Sequence, residues 1–248
     1  MSNYFTQILI VIFANFKKFM KYIFAILFSA LLANNLDAQI YEIGVFAGGS
    51  NFIGDVGATK YISPNQLAIG GIAKWNRSPR HSYRLSVIFS ELEGIDAKSD
   101  DPRRKQRDYQ FNNSILEISL GMEFTFFDFD LHSLDTKGTP YLYSGLTLTN
   151  YDNYYFSDAG VFTSENKFSW AMGIPIVLGY KTRIADQFIL AAEVGARYTF
   201  TDEIDGSVPS SEDTERYSFG NTNNNDWYMF SGITLTYTFG RKPCYCNF

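Results

Sequence analysis

Residues 115–130, ILEISLGMEFTFFDFD, alternate apolar and polar side chains over a length that few soluble sheets use. Leu116, Ile118, Leu120, Met122, Phe124 and Phe126 fall on one face. Glu117, Ser119, Gly121, Glu123 and Thr125 fall on the other, because successive side chains of a strand point to opposite sides of the sheet. Residues 187–201 repeat the pattern, with Phe188, Leu190, Ala192, Val194, Tyr198 and Phe200 opposite Gln187, Glu193, Arg197 and Thr199. The last segment sets Trp227, Met229, Ile233, Leu235, Tyr237 and Phe239 against Gly232, Thr234, Thr236 and Thr238. Strands in globular proteins usually stop after about 5–6 residues, whereas a tilted membrane-spanning strand needs ~9–11.

Eight such segments can be drawn: 40–49, 66–75, 82–93, 114–129, 139–152, 169–183, 187–201 and 226–240. The connections at 76–81, 131–138 and 184–186 are short, and those at 50–65, 94–111, 153–168 and 202–225 are long. Short turns at one end and long loops at the other are the pattern of outer-membrane barrels. The predicted fold is therefore all-β, a transmembrane antiparallel up-and-down β-barrel of about eight strands with a closed polar interior. An even strand count puts both termini at the short-turn end, the periplasmic side. A soluble sandwich also alternates, but it calls for neither the strand lengths nor the alternating loops. Pro175 lies inside the sixth segment and cannot donate to a ladder, so a bulge or a local break in pairing is expected there.

Tyr and Phe dominate the aromatic residues, 17 and 23 in number, which suits strands. Tyr41, Trp75, Phe127, Phe129, Tyr141, Tyr151, Trp170, Tyr198, Phe200, Trp227 and Phe239 lie near strand ends, where amphipathic rings favour the membrane–water boundary. Ordinary packing accounts for some of them.

The N-terminal region reads as a secretory signal. From Met20 a positive Lys21 precedes an apolar run from Tyr22 to Ala33 and a small-residue exit at Ala38-Gln39. Residues 1–38 are assigned to it, residues 39–240 to the barrel and residues 241–248 to a periplasmic tail. A second apolar stretch, residues 1–19, leaves two readings: Met20 as the initiator, or one signal with an extended leader. No segment after residue 39 has the ~20 continuous apolar residues of a transmembrane helix.

If the apolar face of each strand meets lipid, Glu42, Lys74, Arg84, Glu117, Glu123, Lys181, Arg183, Glu193 and Arg197 face the lumen. Eight strands enclose a space that side chains can fill, and buried charges in it must pair. The lumen should be plugged. Net charge of −5 argues against nucleic acid.

Chemistry is sparse. The two histidines, His81 and His132, fall in short turns, away from the outer leaflet where a lipid-modifying barrel would need them. No P-loop, HExxH or nucleophile elbow occurs in a suitable context. The glycines of residues 44–57 are not followed by a helix and instead serve tight backbone geometry. Asp202, Glu203, Asp205, Glu212, Asp213 and Glu215 match no EF-hand spacing and read as a solvated loop, and DPRRKQRD at 101–108 reads as solvated surface. No catalytic, cofactor, metal or small-molecule site is expected. The two cysteines, Cys244 and Cys246, lie past the last strand. In an oxidising compartment they suit a disulfide, within the tail or to a partner.

The segments YEIGVFAGGSNFIGDVG (41–57), YISPN (61–65), LEISLGMEFTFFDFD (116–130), EVGARYTFTDEID (193–205) and DWYMFSGITLTYTFGRKPCYC (226–246) resemble the PorG family, outer-membrane components of the type IX secretion system. The resemblance implies a non-enzymatic barrel that attaches or assembles the periplasmic ring of that machinery, with outer-membrane lipid around it. The ring's lipoprotein and its partner subunit would be its contacts. It supplies no catalytic or cofactor residues. The contact surface would then be the short turns near Asn76–His81, Leu131–Gly138 and Ile184–Asp186, together with the tail from Arg241 to Phe248. The alternatives are an adhesion or ligand-binding barrel acting through its long loops, and a lipid-modifying barrel enzyme.

Overall fold

The computed structural model describes residues 41–131, 138–221 and 224–240. The signal region, His132 and the tail with Cys244 and Cys246 lie outside the described residues. Eight strands form one closed antiparallel barrel in sequence order. They are β1 (Tyr41–Ile53), β2 (Gln66–Asn76), β3 (His81–Ile95), β4 (Gln110–Thr125), β5 (Gly138–Phe156), β6 (Phe162–Ala185), β7 (Phe188–Thr199) and β8 (Trp227–Phe239). β1 closes the ring by pairing with β8, from Tyr41↔Phe239 to Ile53↔Trp227. Full closure removes the unpaired edge that an open sheet would present.

The alternation holds where the sequence predicts it. Ile118, Leu120 and Met122 of β4 are exposed, and Glu117, Ser119 and Glu123 are buried. Ile233 and Leu235 point out from β8, while Thr234, Thr236 and Thr238 point in. An outward apolar band over an inward polar face is the geometry of an outer-membrane-type barrel. At the short-turn end Tyr41 is opposite both Phe239 and Trp75, and Trp75 is opposite Tyr83. The Tyr41–Phe239 and Trp75–Tyr83 rings lie 5.9 and 5.6 Å apart. Tyr198 and Trp227 form a matching contact toward the other end, 4.8 Å between centroids. Tyr141, Tyr151 and Phe129, expected in these belts, are instead buried.

The expectation for 153–168 needs correcting, and those at Pro175 and 101–108 hold in a sharper form. The connection predicted at 153–168 is mostly strand: β5 and β6 continue as a paired hairpin to Phe156↔Phe162 and turn over residues 157–161. A bulge on β6, residues 165–167 opposite Asn153, shifts the register between Asp152↔Phe168 and Tyr154↔Ser164, and Gly160 takes the positive φ of +73° that the turn requires. Polar Asp152, Asn153 and Ser157 disguised this hairpin as a loop. Pro175 causes no register shift, and its pairing to Arg197 of β7 is kept. The ladder to β5 is interrupted there, resuming at Ser144↔Ile176 and Thr147↔Gly173 in the same register. The break is present and the bulge is not. DPRRKQRD is exposed surface, apart from half-buried Arg104 and Arg107. Residues 102–107 form a short helix, α1 (Pro102–Arg107), with Asp101 Oδ1 accepting from the Arg103 N–H as its cap. Two of its arginines are structural, as described below.

Candidate functional site

The lumen is the most constrained part of the molecule. All nine charged residues predicted to face it are buried. β6 supplies Lys181, whose Nζ donates to Glu123 Oε1 of β4 at 2.7 Å. Lys74 of β2 lies 2.8 Å from Glu123 Oε2, an ion pair outside hydrogen-bond geometry. Arg84 of β3 meets Glu193 of β7 at two points, 2.7 and 2.8 Å. The Tyr141 hydroxyl donates to the same Glu193 at 2.6 Å. Glu42 accepts from Asn76 Nδ2 at 2.9 Å and Thr236 Oγ1 at 2.8 Å. Nearer the middle, Glu117 accepts from Arg197 Nε at 3.2 Å and from the Tyr228 hydroxyl at 2.6 Å. Arg183 donates to the Leu131 carbonyl at 2.6 Å. Rings seat the cations, with Arg84 4.8 Å from the Tyr143 centroid and Arg197 4.5 Å from that of Phe230.

The interior is not polar throughout, as had been expected. Toward the long-loop end it becomes a hydrocarbon plug. Phe46, Ile72, Ile88, Leu92, Phe111, Ile115 and Phe230 are buried together there. Above them the aromatic residues of the connections continue the core, with Tyr109 stacked on Phe156 at 4.3 Å and on Phe219 edge-on at 5.3 Å.

Over this plug the β1–β2, β3–β4 and β7–β8 connections make a cap. Its frame is ionic. Asp96 is buried and accepts from Arg107 Nε at 2.7 Å, from the Gly57 N–H at 2.8 Å and from the Tyr109 N–H at 3.1 Å. Arg107 also donates to the Asp55 carbonyl, and Arg104 to that of Gly57, at 2.7 and 2.8 Å. Gly57 has φ +96°, and a Cβ there would strike Gly94 of β3. The expectation of a solvated acidic loop fails for two of the six acids named. Asp202 and Asp205 are buried, whereas Glu212, Asp213 and Glu215 are exposed. Asp205 Oδ2 accepts from the Asp55 and Val56 N–H groups at 2.9 and 3.0 Å. This ties the β7–β8 connection to the β1–β2 connection. Asp226, just before β8, accepts from the Ile204 N–H at 3.0 Å. Burial, with Asp205 and Asp55 alongside, pushes the Asp202 carboxyl up to about 8. Burial likewise raises Asp205 and, further still, Asp226.

His81 opens β3 and is exposed, with Nδ1 3.2 Å from Ser78 Oγ and its ring against Phe124. Cys244 and Cys246 fall outside the described residues, so the structure brings neither to any site. A cleft of about 390 Å³ between the β1–β2 connection and β3 is lined by Asn51, Lys60, Asn65, Glu93 and Lys98 among others.

No curated protein matches the chain in sequence. Solved structures similar to it include Neisserial surface protein A, 12% identical over 80% of this chain and 97% of that one, with a TM-score of 0.45. The N-terminal β-barrel domain of Pseudomonas aeruginosa OprF is 14% identical over 81% and 98%, with a TM-score of 0.42. Ail, the attachment invasion locus protein of Yersinia pestis, solved with the heparin analogue sucrose octasulfate, is 8% identical over 82% and 99%, with a TM-score of 0.44. The ring of eight strands itself rests on the pairings given above. At the level of sequence, the model described as Domain of unknown function (DUF6089) matches residues 18–248, and the chain belongs to that family.

Proposed function

We propose that this protein is a non-catalytic outer-membrane anchor that helps attach or assemble the periplasmic ring of a type IX secretion machinery. One observation carries the choice of anchor over conduit: the lumen is filled, first by paired charges and then by hydrocarbon. A barrel of this kind offers its rims, not its bore. In this reading the long connections face outward and both termini lie in the periplasm. The ring's lipoprotein and its partner subunit dock on the short turns and on the tail bearing Cys244 and Cys246. The identity of the machinery rests on the segments that resemble PorG. The test is pull-down of the full mature barrel from outer membranes in mild detergent. Co-purification of periplasmic ring subunits is expected, and their consistent absence would overturn the reading. Repeating it without reductant after Cys244→Ser and Cys246→Ser reports on the tail: an unchanged complex means that the cysteines do not hold it.

A second reading is adhesion or ligand binding through the long connections. It is favoured by the built character of the cap, which has its own ion pair, buried Asp96 with half-buried Arg107, and an aromatic core. Shortening the β7–β8 connection separates the two, because adhesion is lost and ring attachment is kept.

A further inference from the structure

Two buried carboxylates in the cap are unsatisfied. Asp205 spends both oxygens on N–H groups, Oδ2 on Asp55 and Val56 and Oδ1 on Ser207. Asp226, fully buried, spends Oδ2 on the Ile204 N–H and leaves Oδ1 without a partner. Asp202, 9% exposed, leaves both oxygens without one. The charges felt by Asp202 are those of Asp205, Asp55 and Glu203, all of its own sign. The Asp226 N–H donates to the Thr201 carbonyl at 2.9 Å, which sets Asp226 against the residue preceding Asp202, and the acids around it are Asp205, Asp202 and Asp55. The nearby guanidinium of Arg107 is already taken by Asp96 and the Asp55 carbonyl. Anions in such a place are expensive unless something positive joins them.

A neutral side chain at the end of β5 is also unpartnered. Asn153 lies opposite the β6 bulge, buried, with neither its oxygen nor its nitrogen hydrogen-bonded. Its chain neighbours abut the same segment. Asn113 bridges the Asp152 carbonyl to the Ile204 carbonyl, at 2.9 Å each. Gly206 packs on the backbone of Tyr154. Buried carboxylate and amide oxygens without partners match the ligand preference of a hard divalent cation, which takes carboxylates, amide and backbone carbonyls and water. Among the described residues no three His, Cys, Asp or Glu side chains are gathered as a metal cage. The charged ligands are therefore two, and neutral oxygens must supply the rest.

We propose that the loop cap binds one divalent cation of the calcium type, with Asp202 and Asp226 as its charged ligands and neutral oxygens around residues 202–207 completing the shell. The cation bolts the β7–β8 connection onto the end of the barrel, beside the point where Asp205 holds the β1–β2 connection. With only two carboxylates its affinity belongs with extracellular modules, Kd on the order of 10⁻⁴ to 10⁻³ M. This site is independent of the partner reading above, since it lies at the opposite rim.

The test uses the full mature barrel in detergent, stripped with EDTA at pH 7.5. Calcium binding is followed by calorimetry, and protease cleavage within residues 200–226 is followed in parallel. One saturable site per chain is expected, with cleavage slowed severalfold by calcium. Asp202→Asn and Asp226→Asn each weaken binding about tenfold or more, since charge count sets affinity in such sites. The asparagine at 226 keeps an oxygen for the Ile204 N–H, so the fold is retained. Absence of saturable calcium or magnesium binding at millimolar concentration overturns the proposal. So does Asp202→Asn binding calcium as the parent does. The first outcome, with Asp202→Asn more resistant to protease than the parent, would mean that the carboxylates are held protonated instead.

Discussion

Arg84 and Glu193 meet end-on across the lumen, guanidinium to carboxylate, at 2.7 and 2.8 Å, although 109 residues separate them in the chain. Both are buried, and among the described residues the only other acid at ion-pair distance from Arg84 is Glu123, at 4.0 Å. Glu193→Gln therefore leaves a nearly unpaired buried cation and is expected to cost about 3–5 kcal/mol. Replacing both, Arg84→Met with Glu193→Leu, recovers most of that loss, because the desolvation of both charges disappears. Urea unfolding in lipid vesicles, read by tryptophan fluorescence, measures both. A single-variant cost below about 1 kcal/mol would contradict a dry, paired lumen.

The outward band makes a comparison between two equally exposed positions possible. Leu120 of β4 is 62% exposed and Tyr61 of the β1–β2 connection 72%. Only Leu120 lies on the band. Leu120→Arg should cost about 2–4 kcal/mol in a bilayer, and Tyr61→Arg less than about 0.5 kcal/mol. The same vesicle assay reads the difference. Equal costs would mean that the belt is misplaced.

A lumen filled with Phe46, Ile88, Leu92, Phe111 and Phe230 has no room for a hydrated path. Planar-bilayer recordings of the purified barrel should show no steady conductance. Glu123→Ala, which loosens only the ionic half, should remain closed as well. A stable open level in the parent protein would show that the plug moves.

In cation-free buffer the cap carries a pH dependence whose sign follows from Asp202. Its carboxyl sits near 8 in the folded state, above the ~3.9 of an unfolded chain. The folded form then binds its proton more tightly, so the contribution is fully present below about pH 4. It is lost as pH rises through about 8. The melting temperature in EDTA should fall over that window, and Asp202→Asn should flatten the fall. A slope identical in the variant would assign the effect to other groups.

Much of this architecture was legible, and the misses have physical causes. The charged lumen residues emerge from period two alone. The same parity also carried information that charge had masked. Phe46 shares its face with Glu42, Ile72 with Lys74, Ile88 and Leu92 with Arg84, and Phe111 and Ile115 with Glu117. Following each strand past its charge would have revealed the hydrocarbon half of the interior. The buried fate of Asp202 and Asp205 was not legible. The Asp205 side chain is held by Asp55 of the β1–β2 connection, 150 positions away, and local polarity alone reads as exposure. The β5–β6 hairpin was hidden for the opposite reason, since polar residues at its bulge resemble those of turns.

The seam between β1 and β8 joins the first strand to the last, over thirteen residues of each. Until it forms, Glu42 lacks Thr236, Glu117 lacks Tyr228, and the closely apposed Gly48 and Gly232 have nothing to approach. The ring therefore inspects its own completeness. A chain that ends before Trp227 lacks the closing strand and retains exposed polar backbone that lipid cannot accommodate. Unfinished copies are therefore expected to be refused by the bilayer.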